Sequence, residues 1–88
     1  MNSNREILGD RLKSIRKTVG LSRAEIARKH EISARSIELW ESGKTEIGVL
    51  KLAEYLSVFK INYGVEVSIS ALVNLDNDLM ISQKISIK

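Results

Sequence analysis

The chain has 88 residues, no cysteine and a single histidine. Without cysteine there is neither a disulfide framework nor a thiolate metal site, and the redox compartment is left unspecified. His30 has no second ligand near it in sequence, so it reads as a packed or half-exposed helix residue and not as a metal ligand. A glycine-rich phosphate loop is also missing, which leaves little from which to build a nucleophile, base or metal constellation. The chain is therefore expected to be no enzyme and to carry no cofactor. No apolar run approaches the ~20 residues of a membrane span, and Met1 to Glu6 lacks the apolar region of a signal peptide. A cytoplasmic protein with no membrane attachment and no evident small-molecule substrate is the expectation.

What is present has the composition of an ordinary soluble domain, 43% hydrophobic and 28% charged. A chain this short buries only roughly 60–65% of the surface its unfolded form exposes, so the core must be small. The net charge of +3 is unevenly spread: residues 1–44 hold ten lysines and arginines against six acids, and residues 45–88 hold four against five. A polyanionic partner would meet the first half.

From Arg5, the residues Leu8, Leu12, Ile15 and Val19 form one stripe of an amphipathic helix that ends near Val19, with Gly20 as its terminator. Ser22 can then cap a short second helix carrying Ile26, Ala27 and His30. After Glu31 the pattern restarts: Ser33 is a second cap, Ile37 and Trp40 follow at a spacing of three, and the helix runs to about Ser42 before Gly43. Two short helices joined by about three residues meet at a steep angle, which is helix-turn-helix geometry. With Ile37 and Trp40 turned to the core, Ala34, Arg35, Glu38 and Leu39 lie on or near the open side, where the N-terminal turn can face base edges in a major groove.

Beyond Gly43, a short loop at Lys44 to Thr45 leads to a fourth helix, from about Glu46 to Lys60, with the stripe Val49, Leu52, Ala53, Leu56 and Phe59 and with Gly48 weakening its first turn. Asn62 to Val67 reads as a loop centred on Gly64. Ser68 caps a short fifth helix carrying Ile69, Leu72 and Val73 that ends near Asn74 to Asn77. Residues 1–77 thus form one domain, and 78–88 a C-terminal tail. In the tail, Ile81, Gln83, Ile85 and Ile87 alternate with Ser82, Lys84, Ser86 and Lys88, the period of a strand. Nothing else in the chain looks like a strand, so the tail pairs with its copy in a second subunit, packs as an extended segment, or stays disordered.

The central run LSRAEIARKHEISARSIELWESG resembles the lambda-repressor-like, Cro/repressor-type (XRE-like) helix-turn-helix family. That family reads roughly Gly-Leu-Ser at the start, Glu-Leu-Ala in the first helix of the motif, Val-Ser at the turn, Ile-Ser in the recognition helix and Trp-Glu-x-Gly at its end. Here the matches are Gly20, Leu21, Ser22, Glu25, Ile26, Ala27, Ile32, Ser33, Ile37, Trp40, Glu41 and Gly43. Over about Arg5 to Asn74 the resemblance implies an all-α, five-helix fold. It also implies an ion pair between Arg16 and Glu41 that fixes the angle between the first and third helices. Two departures stand out: Glu31, where the family often has glycine or asparagine because the backbone tends toward positive φ, and His30, where a more apolar residue is usual.

Carried over residue by residue, the resemblance puts Ala34, Arg35 and Leu39 at base-facing positions, and Arg23, Ser33, Ser36 and Lys44 at phosphates. Arg35 is the strongest of these, because arginine makes two hydrogen bonds to guanine O6 and N7. Trp40 is expected in the core and not on a base. Double-stranded DNA is the implied partner and a homodimer the implied assembly, in a transcriptional regulator of phage or prophage repressor type. Two rivals use the same residues differently: an antitoxin-like autoregulator whose tail from Asp78 binds a partner protein, and a protein-interaction module without DNA binding.

Overall fold

The structure is a computed structural model that describes residues 4–74 and the backbone of residues 82–83. In chain order it contains α1 (Asn4–Val19), α2 (Arg23–His30), α3 (Ala34–Ser42), α4 (Val49–Tyr63), β1 (Val65–Glu66), α5 (Ile69–Val73) and β2 (Ser82–Gln83). The architecture is the expected all-α, five-helix one, with one short strand pairing added.

Local signals account for most of the boundaries. Ser22 accepts from the Glu25 backbone N–H at 3.1 Å while Glu25 Oε1 accepts from the Ser22 N–H at 2.9 Å, a reciprocal cap in which two orphan donors of α2 are satisfied. The bond from the Ser22 N–H, aided by the Ser22 hydroxyl, holds the Glu25 carboxyl below its ordinary value. Ser33 caps α3 by accepting from the Ser36 N–H at 3.2 Å, and Ser68 caps α5 through Ala71 at 3.1 Å. Each such cap is worth about 1 kcal/mol. Gly43 ends α3 at φ 77°, a region in which a side chain would be strained.

Between α2 and α3 the chain turns at Glu31, which adopts φ 56°, ψ 38°. The departure at Glu31 therefore leaves the left-handed turn in place, with the strain tolerated. Left-handed backbone costs a non-glycine residue about 1–2 kcal/mol, a cost the packing of α2 on α3 must offset.

α4 differs from its expected span. It starts at Val49 and not at Glu46, because residues 44–48 stay outside the helix while Ile47 anchors them in the core; Gly48 is the cap and lies outside the first turn. At the other end the helix continues through Asn62 and Tyr63 to Gly64 at φ 68°. Tyr63 is held there by His30, whose Nε2 lies 2.8 Å from the Tyr63 hydroxyl, with the rings edge to face. The buried face of α4 is Leu52, Tyr55, Leu56 and Phe59, so Tyr55 replaces Val49 in the expected stripe; Val49 is 65% exposed.

The loop expected over 62–67 contains β1. Val65 pairs with Gln83 and Glu66 with Ser82, antiparallel, so the strand-like tail finds an intrachain partner that the sequence reading did not supply. A two-residue strand is too short to show a period of two; the buried Val65 side chain is what fixes it. The remaining tail residues, Ile81, Ile85 and Ile87 among them, and the boundary drawn after residue 77 lie outside the described residues.

The core gathers Leu12 and Ile15 of α1, Ile26 of α2, Ile37 of α3, Ile47, the four buried residues of α4, Val65 and Leu72. Trp40 packs against it, edge-to-face on Tyr55 at 5.6 Å. Arg11 of α1 reaches the end of α5, donating from Nη1 to the Leu72 and Asn74 carbonyls at 2.9 and 2.8 Å. Those bonds satisfy carbonyls that a helix C-terminus leaves orphaned.

Candidate nucleic-acid interface

α3 is held from behind by α1. The two helices approach closely at Gly9, where an added Cβ would lie 2.5 Å from the Trp40 carbonyl oxygen and 2.6 Å from that of Glu41. Only a residue without a side chain lets the two backbones meet so closely. Sequence reading assigned Gly9 no role, because a glycine inside an amphipathic stripe shows only as a weak point in a helix.

Two turns further along α1, at Arg16, the contact with α3 holds a buried charge network. Arg16 grips Glu41 with two bonds, Nε to Oε2 at 2.7 Å and Nη2 to Oε1 at 3.0 Å, and donates from Nη1 to the Leu21 carbonyl at 2.8 Å. The two side chains are only 9% and 1% exposed. Their hydrogen bond raises the Arg16 guanidinium above its ordinary pKa despite the opposing desolvation. Burial likewise pushes up the neighbouring Tyr55 phenol, which stays neutral.

Arg23 is a third member. Its Nε donates to Glu41 Oε1 at 2.9 Å, with 35% of the side chain still exposed. This link between the start of α2 and the end of α3 is absent from the sequence reading, which placed Arg23 at a phosphate only. A single buried carboxylate therefore ties α1, α2 and α3 together and sets how α3 is presented.

The opposite face of α3 is open. Ser33 and Lys44 are exposed, and Ala34, Ser36 and Leu39 half-buried. Arg35 has 69% of its side chain exposed and donates from Nη1 to Glu38 Oε1 one turn on, with Glu38 46% exposed. The residues singled out for DNA are thus gathered along the N-terminal half of α3 and its flanks, with Arg23 joined to them through Glu41. No acidic residue lies in the first turn of α3 to offset the positive end of its dipole. Such a surface suits an extended anion that also presents hydrogen-bonding edges.

Other chemistries find less to work with. Among the described residues no three His, Asp or Glu side chains gather where they would hold a metal ion, and His30 is engaged by Tyr63. No described helix is long and apolar enough to cross a membrane.

A protein-family model described as helix-turn-helix matches residues 12–64, from the middle of α1 to the glycine that ends α4. No curated protein and no solved structure matches the chain.

Proposed function

Because this chain belongs to the Cro/repressor-type helix-turn-helix family of DNA-binding transcription regulators, we propose that it is a repressor of phage or prophage type that occupies an operator as a homodimer. The observation that carries this reading is the pairing of an exposed Arg35 with an α3 braced from behind. The helix is braced at Gly9 and Glu41, so it meets DNA preorganised and little freedom is lost on binding.

In this reading α3 enters the major groove. Arg35 takes guanine O6 and N7, while Ala34 and Leu39 meet thymine methyl groups or fill space. Ser33, Ser36 and Lys44 hold phosphates on either side. The Arg23 bond to Glu41 through Nε leaves its terminal nitrogens as phosphate donors at a fixed place. No bond is made or broken; repression follows from occupancy.

One module makes few base contacts, and two on a pseudo-palindrome would set their recognition helices about one DNA turn, ~34 Å, apart. Exposed Val49, Leu50 and Val73 offer apolar surface for the second copy, through α5, the tail or both. The antitoxin-like alternative assigns partner binding to the tail from Asp78, which lies outside the described residues apart from Ser82–Gln83. The working place of such a regulator is the cytoplasm.

The test is duplex affinity as salt is raised. Log affinity is expected to fall linearly with log salt, by about 0.9 per phosphate neutralised. Arg35→Ala should cost about 1–3 kcal/mol on the preferred duplex and flatten sequence preference more than it flattens that slope. Negligible affinity for every duplex at low salt would replace this reading with that of an interaction module.

A further inference from the structure

We propose that Glu38 reads sequence together with Arg35, the guanidinium taking a guanine and the carboxylate admitting only duplexes that set an amino group against it. The proposal rests on the DNA-binding reading above and adds a residue which that reading leaves without a task.

Arg35 and Glu38 stand one turn apart on α3, joined by the bond from Nη1 to Oε1, and both are open to solvent. The opposite face holds the buried Ile37 and Glu41, so the Glu38 carboxylate shares the outer side with the arginine meant for bases. An exposed pair at this spacing adds little to the stability of the helix. At a surface that meets a polyanion, however, a carboxylate is repelled and must lose water. Its presence there is a cost unless it does something on the DNA.

Two properties give it a task. First, the bond to Glu38 uses one of the five N–H donors of Arg35, leaving enough for a two-bond grip on guanine while limiting the swing of the side chain. Second, an ionised carboxylate only accepts hydrogen bonds. Along the major groove, guanine O6 and N7, adenine N7 and thymine O4 are acceptors; only cytosine N4 and adenine N6 donate. Opposite an acceptor the carboxylate is repelled and left unpaired; opposite an amino group it is matched.

Ala34 and Leu39 have no polar atom with which to reject a base, so without Glu38 the base-facing surface would attract through Arg35 and refuse very little. Glu38 also cancels the charge of Arg35 on that surface, which holds down affinity for arbitrary duplexes. Specificity then arises as much from what the pair turns away as from what it grips.

The experiment compares wild type, Glu38→Gln and Arg35→Ala on duplexes selected from a random pool and on the pool itself. Glutamine keeps the shape but lacks the charge and brings a donor of its own. Glu38→Gln is expected to bind the pool more tightly and to lower the ratio of selected to pool affinity by about tenfold, within the range of one mismatched base pair, with the preference for an amino-bearing base lost at one position. Because Glu38 lies on the surface, the variant should melt by circular dichroism within a few degrees of wild type, which separates this effect from misfolding. A folded Glu38→Gln with the wild-type selected sequence and ratio, beside an Arg35→Ala that has lost both, would overturn the role of Glu38 alone. Wild-type protein that binds no duplex would overturn the DNA-binding reading and this proposal with it.

Discussion

Glu41→Ala is expected to lose about 3–5 kcal/mol of stability, the range found when one partner of a buried ion pair is removed. The reason lies in what remains. Arg16 would keep its bond to the Leu21 carbonyl but would sit, 9% exposed, with no carboxylate, and arginine does not escape by shedding its proton. Arg23 would lose its anchor as well. Domains of this size hold only about 5–15 kcal/mol in total. At about 4–8 °C per kcal/mol the midpoint of thermal unfolding should fall by roughly 12–40 °C. Circular dichroism on the purified variant measures it. The double variant Arg16→Met, Glu41→Leu should be damaged less than Glu41→Ala, since apolar groups of similar volume need no partner. Equal midpoints for wild type and Glu41→Ala would mean that the network does not brace α3.

Gly9→Ala is also expected to destabilise the fold, although alanine is the better helix former by about 0.5–1 kcal/mol. The added methyl would sit within 2.6 Å of two carbonyl oxygens of α3, and these are backbone atoms that move only if the helix moves. Overpacking of this kind costs about 1–3 kcal/mol, and contact with backbone places it toward the upper end. A net loss of about 2 kcal/mol in urea denaturation, with affinity for the preferred duplex falling beyond what the unfolded fraction explains, is the expected pair of results. A variant as stable as wild type would mean that α1 and α3 cross further apart than described.

The parts of this fold that could be read in the sequence are those written locally. Ser22, Ser33 and Ser68 each precede the helix they cap, and Gly20 and Gly43 stand where their helices end. Those signals involve residues three or four apart and survive any tertiary context. The stripe expected for α4 holds at Leu52, Leu56 and Phe59 and misses at one place: Val49 and Tyr55 both stand three residues from Leu52, and only the packing of Trp40 and Phe59 against Tyr55 decides between them. Arg23 and Glu41 are eighteen residues apart, and no periodicity joins them. Gly9 was invisible because a close approach is a property of two helices. Val65–Glu66 is too short to look like a strand. The residues assigned to bases and phosphates are assigned by resemblance, matched position by position, and the structure adds their exposure and their neighbours. Arg35 with Glu38 is different again: the spacing of three was in plain view, but the bond between them belongs to the folded helix.

The claim on which the rest depends is that the outer face of α3, held out by α1 and α2, is the surface that meets duplex DNA. Backbone amide shifts of isotope-labelled protein, followed by nuclear magnetic resonance as a selected duplex is added, test it residue by residue. The largest shifts are expected on Arg23, on residues 33–39 and on Lys44, and should diminish as salt is raised. Shifts centred instead on Val49, Leu50, Ile61 and Val73, with residues 33–39 unmoved, would contradict it.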